Sequence, residues 1–290
     1  MRILVLGASG MLGSQLFKTA YERNLDVFGI ARDTQTLLKI FDPSSKDRFL
    51  EINDIKDFFS LEEKIKNINP DFLINCIGIV KQSDLSKNHI ESITINSLLP
   101  HVLQELGNKF DFKLIHVSTD CIFDGQKGKY KESDSFSAND LYGLSKFLGE
   151  VSYGNGITLR TSIIGHEIAN TKHGLIDWFI RASSPVKGFK KAIFSGLTTY
   201  ELSKVILDKV IPSDLPAGTY HVSVDSINKF DLLSLVNEVY NLNKEIIPSD
   251  DFVIDRSLDS SLFRELIDYK VPNWKHLIEE MKSNQLFKIS

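Results

Sequence analysis

Tyr142 and Lys146 stand four residues apart in the stretch "LYGLSK". On a helix that spacing puts both side chains on one face. A phenol is a weak acid at neutral pH, with a pKa of about 10. A cation one turn away lowers that value and positions the ring. Such a pair can give a proton to a carbonyl oxygen while a hydride reaches the carbonyl carbon. Thr119, at the end of "FKLIHVSTD", offers a hydroxyl that could share the same oxygen. Tyr and Lys at this spacing occur on many helix surfaces by chance, so the pair gains its weight from what precedes it.

What precedes it is a glycine turn. Gly7, Gly10 and Gly13 in "LGASGMLG" lie between an apolar run, residues 2–7, and an amphipathic stretch, residues 11–24. The first glycine permits a tight turn, the second lets backbone N–H groups approach a pyrophosphate, and the third lets the helix pack on the strand. Ser9, Met11 and Leu12 complete this expected cofactor loop. The second apolar run ends Gly29-Ile30-Ala31-Arg32. A guanidinium there suits a 2′-phosphate, which favours NADP(H). NAD(H) is the alternative, with Asp33 taking the ribose hydroxyl. Asp54, beside Ile55, can accept from an adenine amino group or cap a helix. Cys76, Ile77 and Gly78 in "NCIG" close the fourth run, at the sheet edge where ligands bind in open α/β folds.

The elements that must carry these groups alternate. Buried-type strands are expected at 2–7, 26–32, 46–53, 71–78, 112–120 and 156–165, with helices at 11–24, 55–70, 96–110 and 141–154. Apolar strands separated by helices predict an α/β fold with a doubly wound parallel sheet. The rhythm weakens after Gly165. Helices are expected at 172–183, 228–242 and 273–284, a strand at 218–223, and a strand-like turn running into a helix over 191–211. This divides the chain into a Rossmann-type NADP(H)-binding part, residues 1–165, and a smaller mixed substrate lobe, residues 166–290. No Pro/Gly/Ser-rich linker separates them, so strands or helices are expected to cross between the two.

Bulk properties narrow the classes. The 290 residues are 42% hydrophobic and 25% charged, with a net charge of −4. No basic face is available for nucleic acid. Two cysteines make no disulfide framework, and no Cys/His cluster suggests a metal. The first residues lack a signal-peptide pattern, and no apolar stretch reaches membrane-spanning length. A cytoplasmic protein is expected. Cys121 has no visible base beside it, which argues against a catalytic thiol.

The pieces "GASGMLG", "NCIG", "STDCIFDG", "YGLSK", "LRTS", "FSGLTT" and "DRSLDSS" occur in an order that resembles the extended short-chain dehydrogenases/reductases, and within them the dTDP-4-dehydrorhamnose reductase family. The resemblance implies Thr119, Tyr142 and Lys146 as the catalytic set, with Tyr142 as general acid and Lys146 also on the nicotinamide ribose. It implies NADPH-dependent reduction of a 4-keto nucleotide-deoxysugar in polysaccharide biosynthesis. Two positions depart from the family's pattern. Cys121 replaces a Tyr and Ile163 replaces a Trp, both near the expected sugar pocket. His166, Lys172 and His173 fall in the expected pocket loop, and Arg256 is the expected phosphate contact. Two other readings stay open: an NAD-dependent epimerase or dehydratase of the same superfamily, and a non-catalytic NADP-binding regulatory subunit. A homodimer is compatible with each.

Overall fold

The computed structural model describes residues 1–168 and 174–286. Seven parallel strands form the central sheet: β1 (Arg2–Leu6), β2 (Asp26–Ala31), β3 (Phe49–Glu51), β4 (Phe72–Asn75), β5 (Lys113–Thr119), β6 (Ile157–Thr161) and a seventh, Gly218–His221. Their order is seventh–β6–β5–β4–β1–β2–β3. The chain winds outward in both directions from β1, which pairs with β2 on one side and β4 on the other. The crevice at the C-terminal ends of β1 and β4 is therefore the switch point of the sheet. This is the doubly wound α/β architecture that the alternating pattern predicts.

Apolar side chains cover both faces. One core gathers Ile3, Val5, Leu16, Phe17, Ile115 and Leu159 with helices of the second half. The other gathers Leu4, Leu6, Leu61, Ile65, Leu103 and Leu114. The seventh strand pairs with β6, Tyr220 opposite Leu159, so residues from beyond position 165 complete the sheet. The rest of the second half forms small two- and three-stranded sheets and the helices Thr199–Val205, Lys229–Tyr240 and Trp274–Ser283.

Several boundaries differ from the expectation, each for a local reason. β3 is short because Pro43–Arg48 forms a 3-10 turn capped by Asp42. The helix expected from residue 55 begins at Phe58, where Asp57 caps it through the Ser60 N–H. Helical backbone begins before residue 96, at His89, because Asn88 caps it, and passes through a π-turn before Leu99–Phe110. The site helix stops at Leu148. Gly149 there lies so close to the Asn96 carbonyl that a Cβ would collide with it. The last expected strand breaks at Ser162, whose carbonyl accepts from the Leu197 N–H at 2.9 Å. Ile163–Ile164 then pairs with Leu197–Thr198.

A buried charge pair closes this side of the sheet. Glu150 and Arg160 are 2.7 Å apart, their side chains 6% and 8% exposed. Arg160 Nε and the Ser118 hydroxyl both donate to the Glu150 carboxylate, each at 2.8 Å. Arg160 Nη1 lies 3.2 Å from His221 Nε2, and His221 Nδ1 lies 2.9 Å from the Tyr130 carbonyl oxygen. Burial and the Arg160 cation push His221 down to about 4, so its ring is neutral, accepting from Arg160 and donating to Tyr130. Replacing Glu150 by Ala should strand Arg160 and cost about 3–5 kcal/mol of stability. Urea unfolding measures this, and a wild-type midpoint would refute the role.

Candidate active site

Thr119 ends β5, and its hydroxyl oxygen accepts from the Cys121 N–H at 3.1 Å, starting a 3-10 turn. The helix Leu141–Leu148 begins at Asp140, whose carboxylate accepts from the Gly143 N–H at 2.8 Å. Gly143 packs this helix directly on the turn after β5, since a Cβ would meet the Cys121 carbonyl and Ala138. The close approach brings the Tyr142 phenol against the Thr119 hydroxyl. Lys146, one turn on, is buried and donates to the Val117 carbonyl oxygen at 2.8 Å. All three side chains thus lie toward the C-terminal end of β5.

Burial dominates their acidity. It raises the Tyr142 phenol well above its ordinary value, Cys121 and Asp120 add to the rise, and the Thr119 contact opposes it. The phenol is thus held protonated, as a proton donor must be. The lowering that the sequence spacing assigns to Lys146 is not the dominant influence. Lys146 itself is pushed down to about 8 by burial, with Glu150 opposing. Cys76 and Cys121 are both pushed up to about 12 by burial, so both thiols stay protonated.

The cofactor side fits a dinucleotide on backbone grounds. Gly7 sits at φ +80°, and a Cβ there would press on Ile77 and Cys76. Gly10, the N-cap of helix Met11–Glu22, has only the Gly7 carbonyl oxygen near its Cβ position, at 3.3 Å. That leaves an open approach at a helix N-terminus, where an anion is favoured. A Cβ on Gly13 would collide with the Gly7 carbonyl, so this glycine serves close helix–strand packing. Ser9 and Met11 are partly exposed at this turn, while Leu12 is buried. Arg32 is exposed. Asp33 is engaged instead in capping Thr34–Leu38, accepting from Gln35 N–H at 2.9 Å and Thr36 N–H at 3.3 Å. Asp54 accepts from the Lys56 N–H at 3.0 Å in the turn before the helix that Asp57 caps, and Ile55 packs on the core. Gly78 faces Lys146, whose Nζ lies 3.6 Å from its Cβ position.

The expected substrate residues come from both halves. Arg256 Nε donates to the Phe123 carbonyl oxygen at 2.7 Å, and Nη1 lies 3.7 Å from Cys121 Sγ. The structure thus brings together two residues 135 positions apart. Asp120 sits between them and Thr119, accepting from the Thr119 hydroxyl at 3.3 Å. Burial raises its pKa, while Ser162, Arg256 and Lys229 oppose the rise. Lys229 was not anticipated. It is the first residue of a helix whose cap, Asn228, the sequence does indicate, but no spacing ties position 229 to position 120. His116 was also missed. Its Nδ1 lies 3.1 Å from Asn75 Nδ2 and its Nε2 is buried without a hydrogen-bond partner among the described residues. Ile163 lies partly buried on the short strand. His166 stands apart from this group of polar contacts. Its ring bridges Asp177 and Tyr240, each at 2.7 Å, which leaves no ring nitrogen for a ligand. Lys172 and His173 lie outside the described residues. Among the described residues no group of three or more His, Cys, Asp or Glu could hold a metal ion, and no helix is long and apolar enough to cross a membrane.

A glycine turn opening a doubly wound sheet, with a Thr, a Tyr and a Lys toward the C-terminal end of β5, defines a dinucleotide-type α/β fold. The chain belongs to the RmlD substrate binding domain family, whose model matches residues 1–285. It is 28% identical over 151 residues to methionine adenosyltransferase 2 subunit beta of Danio rerio, a match covering 51% of this chain and 42% of that protein. It is 27% identical over 154 residues to dTDP-4-dehydrorhamnose reductase of Mycobacterium tuberculosis, covering 51% of this chain and 44% of that protein. These matches therefore span less than half the length of either relative. The fold superposes on the crystal structure of dTDP-4-dehydrorhamnose reductase from Bacillus anthracis in complex with NADP, with TM-score 0.79 and 21% identity, covering 97% and 98% of the two chains.

The two roles open to His166 separate experimentally. Replacing it by Ala should lower stability by about 1–3 kcal/mol, because Asp177 loses a buried partner. A variant of unchanged denaturation midpoint but weakened nucleotide-sugar affinity would reinstate the binding role.

Proposed function

We propose that this protein reduces the 4-keto group of a nucleotide-deoxysugar, using NADPH. The observation that carries the reading is the convergence of Thr119, Tyr142 and Lys146 beside the glycine turn. The relatives named dTDP-4-dehydrorhamnose reductase support the reaction class. NADPH is preferred to NADH because Arg32 is exposed for a 2′-phosphate while Asp33 is committed to its helix cap. Residues 1–165 would hold the cofactor and 166–290 the sugar nucleotide, with the strand Gly218–His221 crossing to the first part.

Held at the Gly7–Gly13 turn and beside Gly78, NADPH would supply the hydride for the carbonyl carbon. Thr119 holds the carbonyl oxygen by its hydroxyl. Tyr142 gives that oxygen its proton, and the phenolate left behind is stabilised by the Lys146 cation on the same helix face. Gly78, lacking a side chain, leaves room beside Lys146 for a ribose.

The direct test is a panel of 4-keto dTDP-, UDP- and GDP-sugars with NADPH and NADH, followed by absorbance. Turnover with NADPH is expected, and Tyr142→Phe should lower kcat by about a hundredfold or more while cofactor affinity holds. A Phe variant with the wild-type rate would remove Tyr142 from the mechanism. NAD⁺ retained through purification, with no consumption of NADPH, would favour the epimerase or dehydratase reading. A stable hetero-complex without turnover would favour the regulatory-subunit reading, which the relation to methionine adenosyltransferase 2 subunit beta keeps in view.

The pH profile follows from Lys146. Its pKa is pushed down to about 8, so the cation is present below that pH and is lost as pH rises through it. The rate of reduction should therefore fall on the alkaline side of about pH 8. A profile flat to pH 10 would show that the Lys146 charge is not needed.

A further inference from the structure

Asn75 and His116 form a fully buried polar pair, opposite one another in the register of β4 and β5. Asn75 ends β4, and its Oδ1 accepts from the Ile77 N–H at 3.0 Å. That bond orients the amide, so Nδ2 is the atom that meets His116 Nδ1, 3.1 Å away. An amide nitrogen only donates, so Nδ1 must be bare and accept. Burial holds the His116 pKa well below its ordinary value, so the ring is neutral and its one proton sits on Nε2. That Nε2–H has no hydrogen-bond partner among the described residues. A buried donor left unmatched costs stability. The ring is therefore a poor choice for packing alone. What it supplies is the acceptor that fixes the Asn75 amide.

The amide in turn fixes a wall between the two ends of the site. The turn Cys76–Gly78 follows Asn75 directly. Ile77 backs the glycine turn, since a Cβ on Gly7 would come within 2.9 Å of Ile77 Cγ1 and 3.3 Å of the Cys76 carbonyl carbon. Gly78, at the other end, has its Cβ position 3.6 Å from Lys146 Nζ. The hydrogen bond of that Nζ goes to Val117, the residue after His116. Beyond Gly78 the chain is tied by Ile79, whose N–H donates to Asn96 Oδ1 at 2.8 Å and whose carbonyl accepts from Asn96 Nδ2 at 3.2 Å. On the near side the tie is the Asn75 side chain.

We propose that Asn75 and His116 are positioning residues for the dinucleotide, holding the Cys76–Gly78 turn at the spacing between the glycine turn and Lys146 that the bound cofactor requires. The proposal rests on the NADPH reading above. Both residues act through Ile77 and Gly78. Loss of the His116 acceptor frees the Asn75 amide to rotate, and the Ile77 N–H then loses its partner. A loosened turn must be ordered by the ligand itself, so the loss appears as weaker binding.

Cofactor binding without substrate tests this. NADPH and NADH are titrated against the wild-type chain, His116→Leu and His116→Asn by fluorescence, with urea midpoints measured in parallel. Leucine removes the acceptor, whereas the asparagine oxygen falls near the place of the ring Nδ1. His116→Leu should raise the Kd for NADPH about tenfold. His116→Asn should return it to within about twofold of wild type. Equal weakening in both variants would overturn the proposal in favour of packing. Wild-type affinity in His116→Leu would overturn it outright, and leave the function standing. If the leucine variant does not fold, NMR of the nitrogen-labelled wild type decides. A neutral His116 ring with its proton on Nε2 is expected, and a proton on Nδ1 would refute the acceptor role. A wild-type chain that binds neither nucleotide would sink both the proposal and the function.

Discussion

The Glu150 carboxylate is the one interaction on which the site's geometry most depends. It follows the helix that carries Tyr142 and Lys146, and it takes hydrogen bonds from Ser118 on β5 and Arg160 on β6. A helix and two strands are therefore pinned at one point, one residue from Thr119. Arg160 extends the tie to His221 on the seventh strand, and His221 to Tyr130 in the loop between Thr119 and Tyr142. A buried ion pair is a poor source of net stability. Its value here is geometric, because it admits only one placement of the site helix over the strand ends.

The loop from Asp120 to Asp140 does more than connect. Tyr130 stacks on Phe123 with ring centroids 4.1 Å apart. Its backbone N–H donates to the Ser257 carbonyl at 2.9 Å, and its carbonyl accepts from the Asp259 N–H at 2.7 Å. The segment around "DRSLDSS" is thereby laid along the loop, and Arg256 is delivered to Cys121. Thr119 and Cys121 on one side and Arg256 on the other come from segments far apart in sequence, and the loop is the seam where those segments meet.

Much of the fold was legible in the sequence because its signals are local. Apolar runs of five to seven residues mark the strands, and the glycine turn marks the first βα junction, where Gly7 and Gly13 are both excluded from carrying a side chain. The Tyr142–Lys146 spacing was legible for the same reason, since a helix converts it directly into a shared face. The partners of Lys146 were not, because Val117 is reached through tertiary packing. Lys229 was missed for the stronger reason that its neighbours Asp120 and Cys121 lie more than 100 positions away. His166 misled in the opposite direction: a histidine in a loop of the right length suggested a ligand contact, but the chain supplies Asp177 and Tyr240 to both of its nitrogens.

The electrostatics of the cleft have a common logic. Lys146 on the site helix and Lys229 in the second half of the chain are both pushed down to about 8 by burial. The same burial raises Tyr142 and Asp120. Every group is displaced toward its neutral form, so the protein carries a desolvation cost here that its own charges only partly offset. Anionic or hydrogen-bond-accepting ligands brought against the lysines favour their charged forms and recover part of that cost. The coupling runs both ways, since whatever strengthens the charge on the lysines also strengthens the hold on the ligand. A buried cation one helical turn from a protonated phenol is thus an arrangement preorganised to favour negative charge that develops beside them.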